Sequence, residues 1–367
     1  MPFLHGLRGL ALILVLQFHS QGAVSRLCSG RGGWWGIEIF FVLSGFLITS
    51  ILLDERKRTR TINLRYFYAR RFIRILPALT AYLACILIAN PFKCSHPIGA
   101  VLVALFYMSD FDLVLHWGHI GDSGLDITWS LAVEEKFYAV WPVITKFLRS
   151  HLFIIAAVGI VSCIVWRAWL MLNGAHWLRI CAIDTNFDGI MFGCVGAALL
   201  IDSNIHRFLL QRFRSQWISG SLFVSLLILM RVSGHPSALV GMTSKLIYYC
   251  LVFPTIQILS ILLIVSLCLT SKSWVKTLLS MPILTWSGEL SYGVYLWHSF
   301  AFLLIAGRVS GYLAEPVGFV LAFAFAACSY FLLEKPLFRL RRYFRASDHS
   351  VKSETADCNF APLNTCQ

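Results

Sequence analysis

The stretch that decides the fold lies near the start of the chain: Arg8-Gly-Leu-Ala-Leu-Ile-Leu-Val-Leu-Gln-Phe-His19. Its apolar run predicts a membrane helix with a fixed cation near one membrane surface and a titratable imidazole near mid-depth. Eleven residues return two helical side chains to nearly the same face, about 16 Å apart along the axis. Ionisable groups inside a membrane are costly and usually face a partner, a cavity or a substrate path. Because histidine exchanges protons near neutral pH, Arg8 and His19 indicate where chemistry is to be expected.

Composition indicates a membrane protein throughout. The 367 residues are 58% hydrophobic and 13% charged, with a mean hydropathy of +0.72, whereas a soluble domain is nearer half apolar and a quarter charged. The apolar runs are continuous, which favours an all-α, polytopic integral membrane bundle over a β-barrel. Eleven hydrophobic segments fall at residues 8–25, 34–53, 75–90, 98–115, 129–148, 152–172, 183–201, 217–233, 246–270, 283–306 and 313–334.

The net charge of +13 does not predict a nucleic-acid partner, because the basic residues cluster in short segments between apolar runs. Such clusters mark cytoplasmic loops. They comprise Arg56, Lys57, Arg58, Arg60, Arg65, Arg70, Arg71 and Arg74, and then Lys335, Arg339, Arg341, Arg342 and Arg345. Because both clusters should be cytoplasmic, an even number of helices must connect them. Nine hydrophobic segments follow the first cluster, so one of these segments is not a full span. We therefore expect about ten transmembrane helices, with 129–148 or 183–201 as the exception.

The chain is expected to form one membrane domain, residues 1–345, followed by a polar, disordered tail, 346–367. Its first segment resembles a signal peptide but lacks a clear cleavage site, so we expect a retained helix. The eleven cysteines show neither CxxC nor Cys/His ligand spacing, and no metal is predicted. A pairing of Cys28 with Cys94 stays open.

Acidic residues at two helix starts need partners. Glu38 lies close to the hydrocarbon, in a segment whose Gly36 and Gly45 favour close helix packing. Glu134 and Glu135 are adjacent, so they point in different directions. One would face a cavity and orient His19, while the other would pair with Lys136 or an arginine. The alternative is that both only benefit from the helix dipole.

Basic and polar residues form three further candidates. Arg70, Arg71 and Arg74 lie together on a helix and suit either a phosphate-rich cosubstrate or anionic lipid, without preference. Asp184 and Asp188, spaced i and i+4, would share one face and orient a cation or a sugar rather than a metal. His298 lies among aromatic residues that either stack on a sugar or merely pack.

Five motifs resemble, in order, those of the membrane acyltransferase-3 family. They cover residues 3 to about 340 and are His5-Gly6-Leu7-Arg8-Gly9-Leu10-Ala11 through His19, then 40–47, 70–77, 128–138 and 290–298. The resemblance implies about ten helices and O-acylation of carbohydrates, or sometimes of macrolides, from cytoplasmic acyl-CoA. Two departures are His5, where the family usually has aspartate, and the absence of the hydrolase-like domain of larger members. The chain thus resembles short members that acetylate O-antigen, exopolysaccharide or lipo-chitooligosaccharide nodulation signals.

The resemblance implies roles for individual residues. The cofactor-binding residues would be Arg70, Arg71 and Arg74, holding the phosphates of acetyl-CoA. Arg8 would position this donor or polarise its thioester. His19 would be a general base or a covalent acyl carrier, oriented by Glu134 or Glu135. The expected saccharide contacts are Glu38, Asp184, Asp188 and His298.

The function expected is an O-acyltransferase, chiefly an O-acetyltransferase, in a bacterial inner (cytoplasmic) membrane. Its partners would be a saccharide acceptor and membrane lipid, with the oligomeric state open. An exporter or flippase of a glycan or lipid is the alternative, although no internal repeat or nucleotide-binding motif favours it. A structural or signalling membrane protein would leave the buried Arg8, His19, Glu134 and Asp188 unexplained.

Overall fold

The computed structural model describes residues 1–20, 33–89, 95–120, 123–176, 179, 181–201, 203–213, 215–233, 241–306, 308–309 and 313–344. The expected tail, 346–367, and the open pairing of Cys28 with Cys94 lie outside the described residues. Within them the chain is helical, which confirms the predicted all-α class.

We number the helices in chain order. The first half contains α1 (Pro2–Ser20), α2 (Gly33–Thr59), α3 (Leu64–Ala89), α4 (Pro97–Leu105), α5 (Ser109–Leu115), α6 (Thr128–Phe147), α7 (Leu152–Leu172), α8 (Ile183–Asn186) and α9 (Asp188–Ile201). The second half contains α10 (Ser203–Phe213), α11 (Gln216–Val232), α12 (Met242–Ile247), α13 (Phe253–Leu269), α14 (Trp274–Leu279), α15 (Pro282–Glu289), α16 (Ser291–Ile305), α17 (Ala314–Ser329) and α18 (Lys335–Phe338). One-turn π-helices, Tyr248–Val252 and Tyr330–Glu334, precede α13 and α18.

The polytopic membrane bundle is confirmed, with fewer long spans than the expected ten. In the described chain, six helical stretches are long and apolar enough to cross a membrane, and a seventh results if α9 and α10, bent by 103°, are one span. The six are Pro2–Ser20, Trp34–Thr59, Leu64–Ala89, Arg149–Leu172, Met242–Leu269 and Ala314–Phe338. The structure has fewer long spans than expected because a hydropathy average does not detect a break of the helix inside an apolar segment. Segment 98–115 divides into α4 and α5, and segment 283–306 divides at Leu290.

Helices α2 and α6 lie side by side and parallel, and this pairing aligns the polar residues of both. The contacts follow the same order along both helices, from the tryptophan end of α2 to its basic end. In order, the pairs are Trp34 with Trp129, Ser44 with Glu134, Thr49 with Trp141, and Arg56 with Lys146. The start of α6 therefore lies beside the start of α2, and Glu134 lies beside the middle of α2.

Close packing at glycine brings α9 onto the other side of α2. A Cβ added at Gly45 would overlap the carbonyl of Ile190, and one added at Gly193 would overlap the carbonyl of Val42. Small residues of this kind let membrane helices approach at backbone distance. The packing role predicted for Gly45 fits this geometry, and the approach brings Glu38 of α2 beside the start of α9.

Hydrogen bonds from α16 hold it against α3 and the loop before α6. The Tyr292 hydroxyl donates to the Ile75 carbonyl at 3.0 Å, and the Tyr295 hydroxyl donates to the Ile127 carbonyl at 2.8 Å. One turn further, Ser299 Oγ donates to the Gly124 carbonyl at 2.9 Å. These bonds set the rotation of α16, which places its histidine next to the end of α1.

Candidate functional site

A cavity of about 670 Å³ has four arginines on its wall: Arg8, Arg70, Arg71 and Arg74. We call it the arginine cavity. It lies between α1, α2, α3 and α6, and Phe40, Ser44 and Tyr138 complete its lining together with aliphatic residues. The helical spacing that predicted a shared face for the three α3 arginines is consistent with this arrangement. Such a concentration of guanidinium groups suits a phosphate-bearing ligand.

The α3 arginines differ in how far the protein itself uses them. Arg70 Nη1 donates to the Phe344 carbonyl at 2.7 Å, and Arg70 Nη2 lies 3.2 Å from Glu55 Oε2. Arg70 therefore ties α3 to the end of α2 and to the segment after α18. Arg71 stacks its guanidinium over the Tyr138 ring at 4.5 Å, an arrangement that leaves the edge of a guanidinium available for a ligand.

Glu134 lies where α2 and α6 meet. Its Oε1 accepts a hydrogen bond from Ser44 Oγ and its Oε2 accepts one from the Tyr138 hydroxyl, both at 3.0 Å. Arg8 and Arg71 interact with it electrostatically. The Glu134 carboxylate is thus held in place near Arg8 and Arg71, two of the four arginines that border the arginine cavity.

Glu135 points to a different side of α6, as its adjacency to Glu134 predicted. It interacts electrostatically with Arg71 and Arg74, and within the described structure its buried Oε1 accepts no hydrogen bond. Lys136 pairs with Asp110 rather than with either glutamate. Lys136 is therefore not the partner of Glu135, and the pairing of Glu135 with an arginine stays a prediction that its electrostatic interaction with Arg71 and Arg74 supports.

A second cavity, of about 450 Å³, shares Arg8 and Phe40 with the first. Glu134 and Ser130 lie on its wall, together with Ser291, Tyr292 and Tyr295 of α16. We call it the glutamate cavity. Arg8 and Phe40 belong to both walls, so the two cavities are adjacent at these side chains.

The structure brings His19 and His298 together, although the sequence treated them as separate candidates. Their ring centroids are 4.8 Å apart with an interplanar angle of 64°. His19 Nδ1 bonds the Val15 carbonyl at 2.9 Å, and His298 Nδ1 bonds the Tyr295 carbonyl at 2.5 Å. The expectation that a glutamate orients His19 does not match this geometry, because the carbonyl of its own helix binds the imidazole.

These bonds fix the tautomer of both rings. A carbonyl oxygen only accepts, so Nδ1 must carry the hydrogen in each histidine. When the ring is neutral, its Nε2 then bears the lone pair. His19 accordingly presents a nitrogen that suits a base or a nucleophile. Tyr295 connects the pair to the glutamate cavity, since its hydroxyl also lies 2.5 Å from Ser130 Oγ.

Glu38 and Asp188 belong to a fully buried polar cluster. Arg167 Nη2 lies 2.6 Å from Asp188 Oδ2, and Gln257 Nε2 donates to Glu38 Oε2 at 2.7 Å. Gln257 Nε2 is also 3.3 Å from Asp188 Oδ1, so one amide joins the two acids. Gln257 thus supplies a hydrogen-bond donor to Glu38, and Arg167 supplies the opposite charge that buried Asp188 needs.

The predicted shared face of Asp184 and Asp188 stays a prediction. Helix α8 ends at Asn186 and α9 begins at Asp188, but Phe187 between them keeps right-handed helical backbone angles, and both acids contact α7, through Trp166 and Arg167. Asp184 pairs with Arg179 and accepts from Trp166 Nε1 at 2.8 Å, with 40% of its side chain exposed. The two acids therefore have separate partners and different environments.

Sequence reasoning missed Arg167, Gln257, Ser130 and Tyr295. A usable signal existed for Arg167, which is a charged residue within a 21-residue apolar helix. Such a residue predicts a buried counter-ion. The other three are ordinary polar residues whose importance depends on which helices they face. In the described residues, no group of three or more His, Cys, Asp or Glu side chains could hold a metal ion.

Comparisons with known proteins agree on one family. A family model described as an acyltransferase domain matches residues 1–335. The peptidoglycan O-acetyltransferase OatA of Listeria monocytogenes is 30% identical over 318 residues, covering 81% of this chain and 48% of that protein. The O-acetyltransferase OatA of Staphylococcus aureus (strain NCTC 8325 / PS 47) is 29% identical, covering 81% and 50%.

A putative O-acetyltransferase of Staphylococcus aureus (strain MSSA476) is 28% identical over 360 residues, covering 92% of this chain and 57% of that protein. The chain thus spans about half the length of the curated relatives it matches. No solved structure matches it.

Proposed function

Because the chain belongs to the acyltransferase-3 family, we propose that it transfers an acetyl group from acetyl-CoA to a saccharide hydroxyl. The protein would work as a multi-pass enzyme of a bacterial cytoplasmic membrane. The observation that carries the proposal is that Arg8 borders both the arginine cavity and the glutamate cavity. One cavity offers cations to a polyanionic donor, and the other is lined by Ser291, Tyr292 and Tyr295 of α16.

The donor would bind with its phosphates against Arg71 and Arg74. Arg70 contributes less, because Glu55 and Phe344 already occupy its donors. The thioester arm would then extend past Arg8 toward α16. Since Arg8 and His19 are about 16 Å apart along α1, while reacting atoms must come within about 3–3.5 Å, Arg8 suits positioning of the donor better than polarisation of a thioester that His19 attacks.

His19 would perform the transfer. Its Nε2 would either remove the proton of the acceptor hydroxyl or take up the acetyl group before passing it on. The two routes differ in one intermediate. Labelled acetyl-CoA supplied without acceptor would leave an acetyl-histidine if His19 is a carrier. A failure to trap it during turnover would favour the base.

The relatives support one class of acceptor for the proposed reaction. The Listeria protein is named as a peptidoglycan O-acetyltransferase, and this supports a cell-wall or other cell-surface saccharide as acceptor here. A lipo-chitooligosaccharide is the second acceptor to be tested. Mass spectrometry of cell glycans and secreted oligosaccharides, with and without the gene, would identify which ester is lost.

The decisive experiment measures acetyl ester formation in membranes that carry the wild-type chain or His19→Ala. We expect the variant to lose about 10²–10⁴-fold in rate, the usual contribution of a positioned acid or base. His151→Ala is the matched control, since His151 is exposed. An unchanged rate in His19→Ala would remove the catalytic assignment, and glycan export without any acetyl ester would favour the exporter considered above.

A further inference from the structure

His298 has a buried nitrogen that the proposed chemistry has not yet used. Its side chain is fully buried on α16. Nδ1 is committed to the Tyr295 carbonyl at 2.5 Å, and within the described structure the buried Nε2 has no hydrogen-bond partner. Because Nδ1 carries the hydrogen, Nε2 bears a lone pair that accepts a hydrogen bond if a donor appears beside it.

Protonation of His19 would supply a hydrogen-bond donor beside Nε2 of His298. The two rings are packed at 4.8 Å between centroids, and Nδ1 of His19 already donates to Val15. A proton added to His19 must therefore reside on Nε2. An N–H of a charged imidazole forms a strong hydrogen bond with a neutral acceptor, and the imidazole of His298 is the adjacent group of that kind.

We propose that His19 and His298 hold a single proton between them during acyl transfer, with His298 as a positioning residue that acts through His19. This inference rests on the proposed function. As the acceptor oxygen bonds to the acetyl carbon, the hydroxyl O–H bond breaks and an N–H bond forms on the pair. The carbon–sulfur bond breaks, and the proton then passes from the pair to the departing sulfur of coenzyme A.

Burial assigns different tasks to the two rings. His19 is partly exposed at the end of α1, whereas His298 lies behind it and has no solvent contact. His19 is therefore the ring that meets substrate. Other charged and titratable groups nearby are Asp126, which interacts electrostatically with His19, Tyr295 on α16, and Glu315, which accepts from Ser20 Oγ at 2.8 Å. Asp126 favours a positive charge on His19, burial of both rings opposes it, and mutual repulsion opposes a second charge on the pair.

The test compares a variant of His298 that loses only Nε2 with a variant that loses both ring nitrogens. His298→Asn places an amide N–H near the position of Nδ1, so the hydrogen bond to Tyr295 is retained while Nε2 is lost. His298→Leu removes both functions. Each variant is assayed in membranes for acetyl transfer, with kcat and the KM for acetyl-CoA measured separately, and with His151→Ala as the control.

We expect His298→Asn to lower kcat at least ten-fold, to leave the KM for acetyl-CoA within two-fold of wild type, and to keep the wild-type amount of folded protein. A wild-type kcat in His298→Asn together with a defect in His298→Leu would overturn the inference, because a packing role alone would then suffice. If His298→Asn fails to fold, His298→Gln replaces it. Its amide oxygen can accept a hydrogen bond near the position of Nε2, so we expect a higher kcat in His298→Gln than in His298→Leu, and equal values would overturn the inference. Absence of acetyl transfer by the wild-type chain would refute the proposed function itself, and is distinguishable from loss in the variants only.

Discussion

Replacing Arg167 by methionine removes the cation that holds Asp188 inside the bundle. Both side chains are fully buried, with Nη2 and Oδ2 2.6 Å apart. Methionine fills much of the same path along α7, but Asp188 is left as a buried acid that still has Gln257 Nε2 at 3.3 Å. Breaking a buried ion pair by removing one partner costs about 3–5 kcal/mol. We expect Arg167→Met to lower the free energy of unfolding by about that amount.

The protein offers a matched control in the neighbouring ion pair. Arg179 and Asp184 are also joined, yet 22% and 40% of their side chains are exposed. Exposed pairs contribute about 0.2–1 kcal/mol, so Arg179→Met should have a small effect. Unfolding of purified protein in mixed micelles by increasing SDS, followed by circular dichroism, compares the two variants on one scale.

The double variant Arg167→Met, Asp188→Leu isolates the cause. It removes both charges, and replacement of a buried ion pair by apolar groups is often nearly neutral. We therefore expect it to recover most of the stability lost in Arg167→Met. The reasoning is refuted if Arg167→Met unfolds like Arg179→Met, or if the double variant is as unstable as the single one.

On the wall of the arginine cavity, Arg71→Ala should raise the KM for acetyl-CoA about ten-fold or more, because a hydrogen bond to a charged group contributes about 1.5–3 kcal/mol. Steady-state kinetics would measure the KM for acetyl-CoA, with a variant at the exposed Arg149, Arg149→Ala, as the control. An unchanged KM would contradict phosphate binding by Arg71. Arg70→Ala should instead lower thermal stability more than Arg71→Ala, since it loses two internal contacts; equal melting temperatures would speak against that role. Glu134→Gln should lower kcat about ten-fold without preventing folding, because the charge beside Arg8 disappears. Acetylation assays in membranes would measure kcat. A wild-type kcat would exclude a role for the Glu134 carboxylate in turnover.

Local sequence spacing was sufficient for features carried by one helix. The eleven residues between Arg8 and His19 place both on α1, and the spacing of Arg70, Arg71 and Arg74 brings them to one cavity. Both results follow from the repeat of 3.6 residues per turn, which depends on the backbone alone. Spacing did not give the partners of Asp184 and Asp188, because Arg179 and Arg167 reach them through the packing of separate segments.

Hydropathy and charge determined that this chain is a helical membrane bundle, because apolar runs of that length must satisfy their backbone hydrogen bonds within each helix. The partners of the buried groups were decided by tertiary structure alone. Glu134 meets Ser44 across 90 positions, and His19 meets His298 across 279. Such contacts depend on the register and rotation of packed helices. Those are set by close approaches, as at Gly45 and Gly193, and not by the spacing of residues along any one segment.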